Sequence, residues 1–479
     1  MLIPNTPSPL SSDIRKKRLL LFLITACSGV LILFCIDAGH DWGDDFALYI
    51  AETKAILGGS LSELYHTNRL AMEQSFWHLG PYLYPIGFPL LLTPLYLVFG
   101  VNFVAFKVYC GLFLIGSVWL LDRLFKADFH APWVSLILLA MVAFNYHFVS
   151  HANYVLSDLP YVWFSLLCLW LIRKERSVAG QVLLGGLIFF SYLIRDIGIV
   201  LLPTLLAFQW QQNYGKKIAW PDLLRLSIPY VVFGAGFLID HAFLPGVGEN
   251  HMTAFFTNLG LQPAFAGIKY YLKLIPSFFF AGYFPTNVEF ILFTPFFFLL
   301  GTGMFICRKT HLYLVVYLTL TLLILCIWPW KNTRFLFPAI PIIIFFTLKG
   351  TFRAAQALSL GPRVLQGGLA LFLAVYLALN LPAIIAYGRA ETNDIKTPEM
   401  LSIYRFIEEN LPENSIVGFK KPRMMRLMTD RQSIATDPET FDQSVADYLV
   451  LEKEFYLTSQ YRHAISFETP NFLILEKDR

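Results

Sequence analysis

The stretch LLLFLITACSGVLILFCI (19–36), followed at once by DAGHDWGDDFALYIAETKAILGG (37–59), decides the fold of this chain. The first part is apolar and long enough to cross the hydrocarbon core of a bilayer. The second part carries five acidic side chains, Asp37, Asp41, Asp44, Asp45 and Glu52. RKKR (15–18) precedes the apolar run, and the positive-inside rule places that end in the cytoplasm. The acidic stretch is therefore predicted to lie outside.

The composition of the whole chain is also that of a membrane protein. Of its 479 residues, 56% are hydrophobic and only 15% are charged, and the mean hydropathy is +0.57. Soluble domains carry roughly 25% charged residues. Repeated apolar stretches of about 20 residues predict helical spans, because a helix satisfies its own backbone in lipid. The predicted fold is an α-helical polytopic membrane protein.

About 11 spans are predicted in a transmembrane domain over 19–386, after a cytoplasmic N-terminal tail over 1–18. They are 19–36, 102–121, 132–149, 157–172, 181–194, 196–211, 223–244, 287–307, 311–330, 335–349 and 364–386. The apolar segment 83–99 is broken by three prolines, and it is interpreted as a re-entrant or juxtamembrane helix. Counting it as a span gives 12 and moves several basic clusters outside, against the positive-inside rule.

The C-terminal segment 387–479 is a different kind of sequence. It holds 12 Lys+Arg and 16 Asp+Glu, whereas residues 1–386 hold 25 basic and 17 acidic residues. TPEMLSIYRFIEEN (397–410) predicts a helix capped by Thr397, and SIVGF, DYLVL and NFLILE predict short strands. We predict a small extracytoplasmic α/β domain without a catalytic group. The charge distribution follows membrane topology, and nothing in it indicates nucleic-acid binding.

The acidic pair Asp44 and Asp45 has two interpretations. One aspartate is a favoured N-cap of the helix that the apolar face Phe46, Tyr49, Ile50, Thr53 and Leu57 predicts along the outer membrane surface. Capping of this helix requires only one carboxylate, so the second one is left without a capping role. At the lip of a membrane cavity, it is suited to take a proton from an attacking hydroxyl.

Three cations depart from the positive-inside rule: Arg195, Lys331 and Arg334. Intramembrane charges are costly and are retained mostly for function. They either neutralise nearby carboxylates, as Asp196 would for Arg195, or they bind an anionic ligand such as a phosphate. Asp158 is a second acidic site candidate, or a helix cap with Pro160 in the first turn. Tyr82 and Tyr84 are expected to belong to an interfacial aromatic belt.

No metal-ligand pattern is present in the sequence. The six cysteines lie in apolar segments without C-x-x-C spacing, and no H-E-x-x-H motif occurs. No metal site and no firm cofactor are predicted, although acidic residues near a phosphate leave a divalent cation open.

Five segments together resemble membrane glycosyltransferases of the GT-C fold, and most of all the bacterial relatives of protein O-mannosyltransferases and of the lipid A aminoarabinose transferase. They are GDDFALY (43–49), YPIGFPLLLTPLYLVFG (84–100), LSDLPYVWFSLLCL (156–169), SYLIRDIG (191–198) and RFLFPAIP (334–341). The resemblance covers about residues 19–350. It implies a donor sugar on a polyprenyl phosphate, a reaction on the outer face of the membrane, Asp45 as base with Asp44 second, and Arg334 and Arg195 near the donor phosphate.

Two departures from these relatives matter. GPYLYPIGF (80–88) lacks the lysine that relatives often carry there, and the WWDYG signature of oligosaccharyltransferases is absent. The predicted activity is transfer of a sugar to an acceptor hydroxyl on a protein, lipid A or a glycan, with Lys331, Arg195 or Arg334 stabilising the leaving phosphate. The alternatives are a transporter or flippase of lipid-linked sugars and a polysaccharide polymerase.

Overall fold

The structure is a computed structural model, and it describes residues 9–77, 80–129, 131–174, 177–243, 249–390, 394–458 and 463–477. Parts of the predicted N-terminal tail (1–8), of the segment between the predicted spans 223–244 and 287–307, and of the segment 387–479 therefore lie outside the described residues. The first helix begins at Pro9, inside the predicted tail.

Helices dominate the described chain. Those before the C-terminal domain are α1 Pro9–Cys35, α2 Asp45–Gly58, α3 Leu61–Glu73, α4 Gly87–Phe99, α5 Phe103–Phe125, α6 Pro132–Ala143, α7 Tyr146–His151, α8 Asp158–Lys174, α9 Val178–Ile194, α10 Leu201–Asn213, α11 Trp220–Phe243, α12 Glu249–Thr257, α13 Leu261–Leu274, α14 Ser277–Phe280, α15 Thr286–Cys307, α16 Leu312–Ile327, α17 Ile340–Ala357 and α18 Pro362–Arg389. Short 3-10 helices cover Asp196–Val200, Thr333–Leu336 and Asp394–Lys396.

Each predicted span coincides with one or two of these helices. Among the described residues, five helices are by themselves long and apolar enough to cross a membrane: α1 from Arg15 onward, α5, α11, α15 and α18. They expose large apolar side chains, such as Val231, Leu238 and Phe298, which suits contact with lipid tails. The chain is a polytopic helical membrane protein.

The 83–99 segment forms the 13-residue helix α4, which measures about 20 Å and is too short to cross the bilayer alone. Its start lies close to α2, because the backbone N–H of Tyr84 donates to Glu52 over 2.6 Å. The following helix α5 begins at the same end of the bundle, where Lys107 forms a buried ion pair of 2.7 Å with Asp37. This geometry suits the interpretation of 83–99 as a juxtamembrane helix.

The two ends of the bundle differ in charge. One end, here named the acidic end, carries Asp37, Asp45 and Asp158. At the other, the basic end, Lys17 pairs with Asp122 over 2.7 Å and Arg173 pairs with Asp128 over 2.8 Å. The turns there carry Lys126, Lys174, Lys216, Lys217, Arg308 and Lys309.

The C-terminal segment folds as an α/β unit. It contains helices α19 Pro398–Asn410, α20 Pro422–Thr429 and α21 Lys453–Thr458, and strands β1 Ile416–Gly418, β2 Gln432–Ile434, β3 Tyr448–Glu452, β4 Ala464–Glu468 and β5 Phe472–Glu476. The strand order is β2-β1-β3-β5-β4, with β1 parallel to β2 and β3 and the remaining pairs antiparallel. Thr397 caps α19 by accepting from the Met400 N–H, as predicted. Strands β2 and β4 were not predicted.

Helix α2 is largely buried between the helical bundle and the C-terminal domain. Seven of its first nine residues, Glu52 among them, are buried, and the helix is packed between α4 and α20 of the C-terminal domain. Phe46, Ile50 and Met424 belong to one apolar core that joins the two parts of the chain. The placement of α2 along the outer membrane surface stays a prediction, and the structure adds that the C-terminal domain covers one face of the helix.

Helices α15 and α17 approach each other closely at glycines. A Cβ atom at Gly303 would lie 1.8 Å from the carbonyl oxygen of Phe346, whereas nothing lies within 4 Å of a Cβ at Gly301. We expect Gly303→Ala to lower the stability by about 1–3 kcal/mol through overpacking. Gly301→Ala should be neutral or slightly stabilising, because alanine favours a helix. Thermal unfolding of the detergent-solubilised variants measures both, and an unchanged Gly303→Ala midpoint would show that this approach is not required.

Candidate functional site at the acidic end

Two aspartates and two arginines meet at the acidic end. Asp45 begins α2, Asp158 begins α8, Arg195 follows α9, and Arg334 lies in the 3-10 helix Thr333–Leu336. Arg334 Nη2 lies 2.6 Å from Asp45 Oδ2, and its Nη1 lies 3.8 Å from Asp158 Oδ2. Arg195 donates to the other oxygen of Asp158. The fold thus joins residues that are up to 289 positions apart in sequence.

Aromatic and imidazole side chains complete this cluster. The Tyr84 hydroxyl donates to Asp45 Oδ1 over 2.8 Å, and its ring stacks on Tyr49 at 4.5 Å between centroids. His151 Nε2 lies 3.2 Å from Asp158 Oδ2. The ring of Phe335 lies under both guanidinium groups. Tyr84 therefore belongs to the site, and its assignment to an interfacial belt is wrong.

Burial gives the cluster a floor and an opening. The Asp158 side chain is 2% exposed, whereas that of Asp45 is 31% exposed. Nε of Arg334 is buried and has no hydrogen-bond partner among the described residues. Asp158 therefore forms the floor, Asp45 faces the opening, and Arg334, which contacts both, retains a donor without a partner among the described residues.

The pKa of Asp45 reflects these neighbours. Burial by itself would raise the pKa of this carboxyl, but the charge and hydrogen bond of Arg334 and the Tyr84 hydroxyl outweigh burial and lower it below its ordinary value of 3.8. In the ligand-free protein, Asp45 is ionised at neutral pH and its basicity is held down by Arg334.

Asp44 occupies the N-cap position of α2 but makes no side-chain capping bond. Its Oδ1 accepts instead from the Met424 backbone N–H of α20, over 3.2 Å. Burial raises the pKa of Asp44, although Arg423 opposes this effect. The two neighbouring aspartates thus face different parts of the protein: Asp45 faces the arginines, and Asp44 faces the C-terminal domain.

Lys331 lies outside this network. Its ammonium group donates to the carbonyl oxygens of Leu325 (3.1 Å), Cys326 (2.9 Å) and Trp328 at the end of α16. These three bonds occupy its three donors and satisfy carbonyls that the helix end leaves unpaired. The Lys331 side chain therefore caps the C-terminal end of α16, whose C-cap residue is Trp328, and the structure does not bring it into the Asp45–Arg334 cluster.

Several site residues had no identifiable signal in the sequence. Tyr84, His151 and Glu52 reach the cluster from segments that look like ordinary aromatic or capping positions. Glu52 is 1% exposed, and one of its oxygens has no partner in the described part of the chain. Its pKa is raised well above 4.5 by burial. The presence of an acidic residue within an otherwise apolar helix was the one feature of the sequence that could have indicated Glu52 as a site residue.

A metal site is not indicated by these side chains. In the described residues, no three His, Cys, Asp or Glu side chains are grouped so that they could hold a metal ion. The Asp45 and Asp158 carboxylates are engaged by arginines, which already supply the positive charge at this place.

The fold and this site define a class: a polytopic helical membrane protein with a charged, partly open site at one end of the bundle, partly covered by a small α/β domain.

Known structures share this fold. Lipid A aminoarabinose transferase, ArnT, from Cupriavidus metallidurans, bound to undecaprenyl phosphate, superposes with a TM-score of 0.62 at 13% identity, over 95% of this chain and 97% of that one. The archaeal oligosaccharyltransferase AglB from Archaeoglobus fulgidus, with an inhibitory peptide and a dolichol-phosphate, gives 0.54 at 11% identity, over 91% and 70%.

The chain therefore has the GT-C fold, as the sequence resemblance predicted. No family model matches the sequence, and no curated protein matches it. At these identities the likeness establishes the fold, and the activity rests on the site.

Proposed function

We propose that this protein is a glycosyltransferase that moves a sugar from a polyprenyl-phosphate donor to an acceptor hydroxyl. The observation that carries the proposal is the Asp45–Arg334 pair at the open side of the cluster, with a buried unpartnered Nε on Arg334. Arginine suits a phosphate because its planar group donates parallel hydrogen bonds. A carboxylate beside it suits general-base catalysis.

Donor binding and base activation are linked in this arrangement. A donor phosphate at Arg334 and Arg195 would compete with Asp45 for the Arg334 guanidinium. Once Arg334 turns to the phosphate, Asp45 loses the charge that lowers its pKa, and its basicity rises. Asp45 then accepts the acceptor's hydroxyl proton as the acceptor oxygen attacks the anomeric carbon. The sugar–phosphate bond breaks, and the arginines stabilise the departing polyprenyl phosphate.

The solved relatives support a lipid phosphate as the ligand. The ArnT structure contains undecaprenyl phosphate, and the AglB structure contains a dolichol-phosphate. Both lipids combine a phosphate with a long apolar tail, which suits a charged site at the end of a membrane bundle. The proposed acceptor hydroxyl belongs to a protein, to lipid A or to a glycan.

The assay that tests the function uses purified protein and a polyprenyl-phosphate sugar with radiolabel in the sugar. A transferase releases free polyprenyl phosphate and moves the label to an acceptor. A flippase of lipid-linked sugars leaves the sugar–phosphate bond intact and changes only which leaflet the donor occupies in vesicles. Intact donor together with leaflet exchange would replace the proposal with the transporter alternative.

Orientation is part of the proposal. Lysines and arginines crowd the basic end, whereas the site lies at the acidic end, so the positive-inside rule places the site and the C-terminal domain outside the cytoplasm. We divide the chain at 1–18, 19–386 and 387–479, with the last part extracytoplasmic. The helix α18 ends at Arg389, three residues into that last part.

A reporter fusion after Arg479 tests this orientation. We expect a reporter that is active only outside the cytoplasm to give signal, because α18 runs from the basic end to the acidic end. A fusion after Lys217, in a turn at the basic end, serves as the matched control and should give signal only with a cytoplasmic reporter. The opposite pair of results would reverse the orientation of the whole bundle.

A further inference from the structure

The C-terminal domain is docked beside the candidate site through α20. Met424 N–H binds Asp44, Lys54 of α2 pairs with Asp430 over 2.9 Å, and Arg426 Nη1 donates to Asn68 Oδ1 over 3.1 Å. A cavity of about 200 Å³ lies between α2, α3 and α20, and Arg423 and Arg426 are among its lining residues. This interface brings a charged helix of the soluble domain next to the acidic pair.

Arg423 is the residue of α20 that points toward the site. The residue is 8% exposed, its Nη2 donates to the carbonyl oxygen of Pro81, and its Nη1 is buried without a hydrogen-bond partner in the described part of the chain. Pro81 belongs to the segment 80–84, which ends at Tyr84. A Cβ atom on Gly80 would lie 3.6 Å from Arg423 Nη1 and 3.9 Å from the Tyr84 hydroxyl, so both groups flank the same backbone.

The charge of Arg423 acts on three carboxylates of α2 and its N-cap. It lowers the pKa of Asp44, of Asp45 and of Glu52 against the effect of burial. The other groups that act on Asp44 are Lys421, Asp45 and the Met424 N–H, and those that act on Asp45 are Arg334 and Tyr84. A buried cation among buried carboxylates, without a direct ion pair to any of them, favours their ionised forms together.

We propose that Arg423 is a positioning residue that the C-terminal domain supplies to the active site. Its guanidinium holds the segment 80–84, which presents the Tyr84 hydroxyl to Asp45, and it neutralises the Asp44 side of the acidic pair. The catalytic geometry is therefore complete only when the soluble domain is docked. This inference deepens the proposed function and rests on it for its kinetic consequences.

The test compares Arg423→Gln with Arg426→Gln in the full-length protein. Arg426 is the matched control, because it lies on the same helix, lines the same cavity and binds Asn68 rather than the segment 80–84. We expect Arg423→Gln to lower kcat of the transfer assay by about 10-fold to 100-fold, since small misplacements of catalytic groups have effects of that size. The acid limb of kcat/KM should move to higher pH. Arg426→Gln should leave that limb in place, and Arg423→Lys should restore it because the charge is kept.

A second readout does not depend on activity. A hydrophobic carbodiimide modifies protonated carboxyls, and peptide mass spectrometry resolves its labelling of Asp44 and Asp45. In Arg423→Gln, the midpoint of labelling should move up by about one pH unit, as expected for loss of a nearby opposite charge. It should stay unchanged in Arg426→Gln. Arg423→Met, which keeps the length of the apolar stem, provides a second charge-free variant.

The outcomes separate the two proposals. If the wild-type protein releases no polyprenyl phosphate, the proposed function fails, and the labelling midpoints still decide whether Arg423 controls the acidic pair. If transfer occurs but Arg423→Gln leaves both the acid limb and the labelling midpoint unchanged, the positioning role is overturned while the function stands. If Gln and Met variants both fail to fold while Arg423→Lys folds, Arg423 is a structural residue of the interface and the proposal is likewise overturned.

Discussion

Replacement of Asp45 by asparagine is expected to lower kcat by about 10²-fold to 10⁴-fold, the range that general-base catalysis contributes. Asparagine keeps the size of the side chain and an oxygen that accepts the 2.8 Å hydrogen bond from Tyr84. It removes the ability to take a proton, together with the negative charge that pairs with Arg334. Release of polyprenyl phosphate from the donor, measured with the folded state checked by size-exclusion chromatography, gives the result directly.

Asp44→Asn is the matched control, since the two residues are adjacent and differ in what they face. The Met424 N–H can still donate to the asparagine oxygen, so docking is kept. We expect a much smaller fall in kcat than for Asp45→Asn. If Asp44→Asn is the inactive variant and Asp45→Asn retains activity, the roles within the pair are exchanged.

The pH dependence of the reaction provides a further test of Asp45 as the base, because the direction in which each acid limb is displaced is predicted. Because Arg334 lowers the pKa of Asp45 in the ligand-free protein, the acid limb of kcat/KM should lie below the ordinary carboxyl range. The limb of kcat, which reports the donor complex, should lie at higher pH, because the phosphate then shares Arg334. A kcat limb at or below that of kcat/KM would contradict the linkage between donor binding and base activation.

Arg334→Ala is expected to raise the donor KM by about 10-fold to 100-fold, since hydrogen bonds to charged groups are worth roughly 1.5–3 kcal/mol. The substitution removes the 2.6 Å contact with Asp45 and the only described donor, Nε, that is buried and unpartnered beside both aspartates. It also leaves Asp158 with Arg195 as its remaining arginine partner. Initial rates over a range of donor concentrations, at fixed acceptor, measure the effect.

Two variants sharpen this prediction. Arg334→Lys should recover part of the affinity, because the charge returns without the planar pair of donors. Lys331→Ala is the matched control three residues away, and since its ammonium group binds carbonyls at the end of α16, it should reduce stability while leaving the donor KM unchanged. If Lys331→Ala raises the donor KM more than Arg334→Ala, the phosphate site lies nearer α16 than the cluster suggests.

The sequence alone was sufficient for the class of protein and for most helices. Apolar length and the positive-inside rule act locally, because a span must satisfy its own backbone in lipid and a charge is costly wherever it crosses. The start of α19 at Pro398, capped by Thr397, was predictable for the same reason: a capping bond joins residues three positions apart. The order of short motifs was sufficient to predict the GT-C fold.

The partners of the charged residues were decided only by the tertiary structure. Nothing local distinguishes Lys331, which caps α16, from Arg334, which reaches Asp45 across 289 positions. Nor does the sequence indicate that the Asp44 carboxylate accepts from the Met424 N–H rather than capping α2, or that Arg423 of a separate domain is buried beside the acidic pair. Long charged side chains pair with groups that the fold brings within a few ångströms. The free energy of each ion pair then depends on how deeply packing buries it.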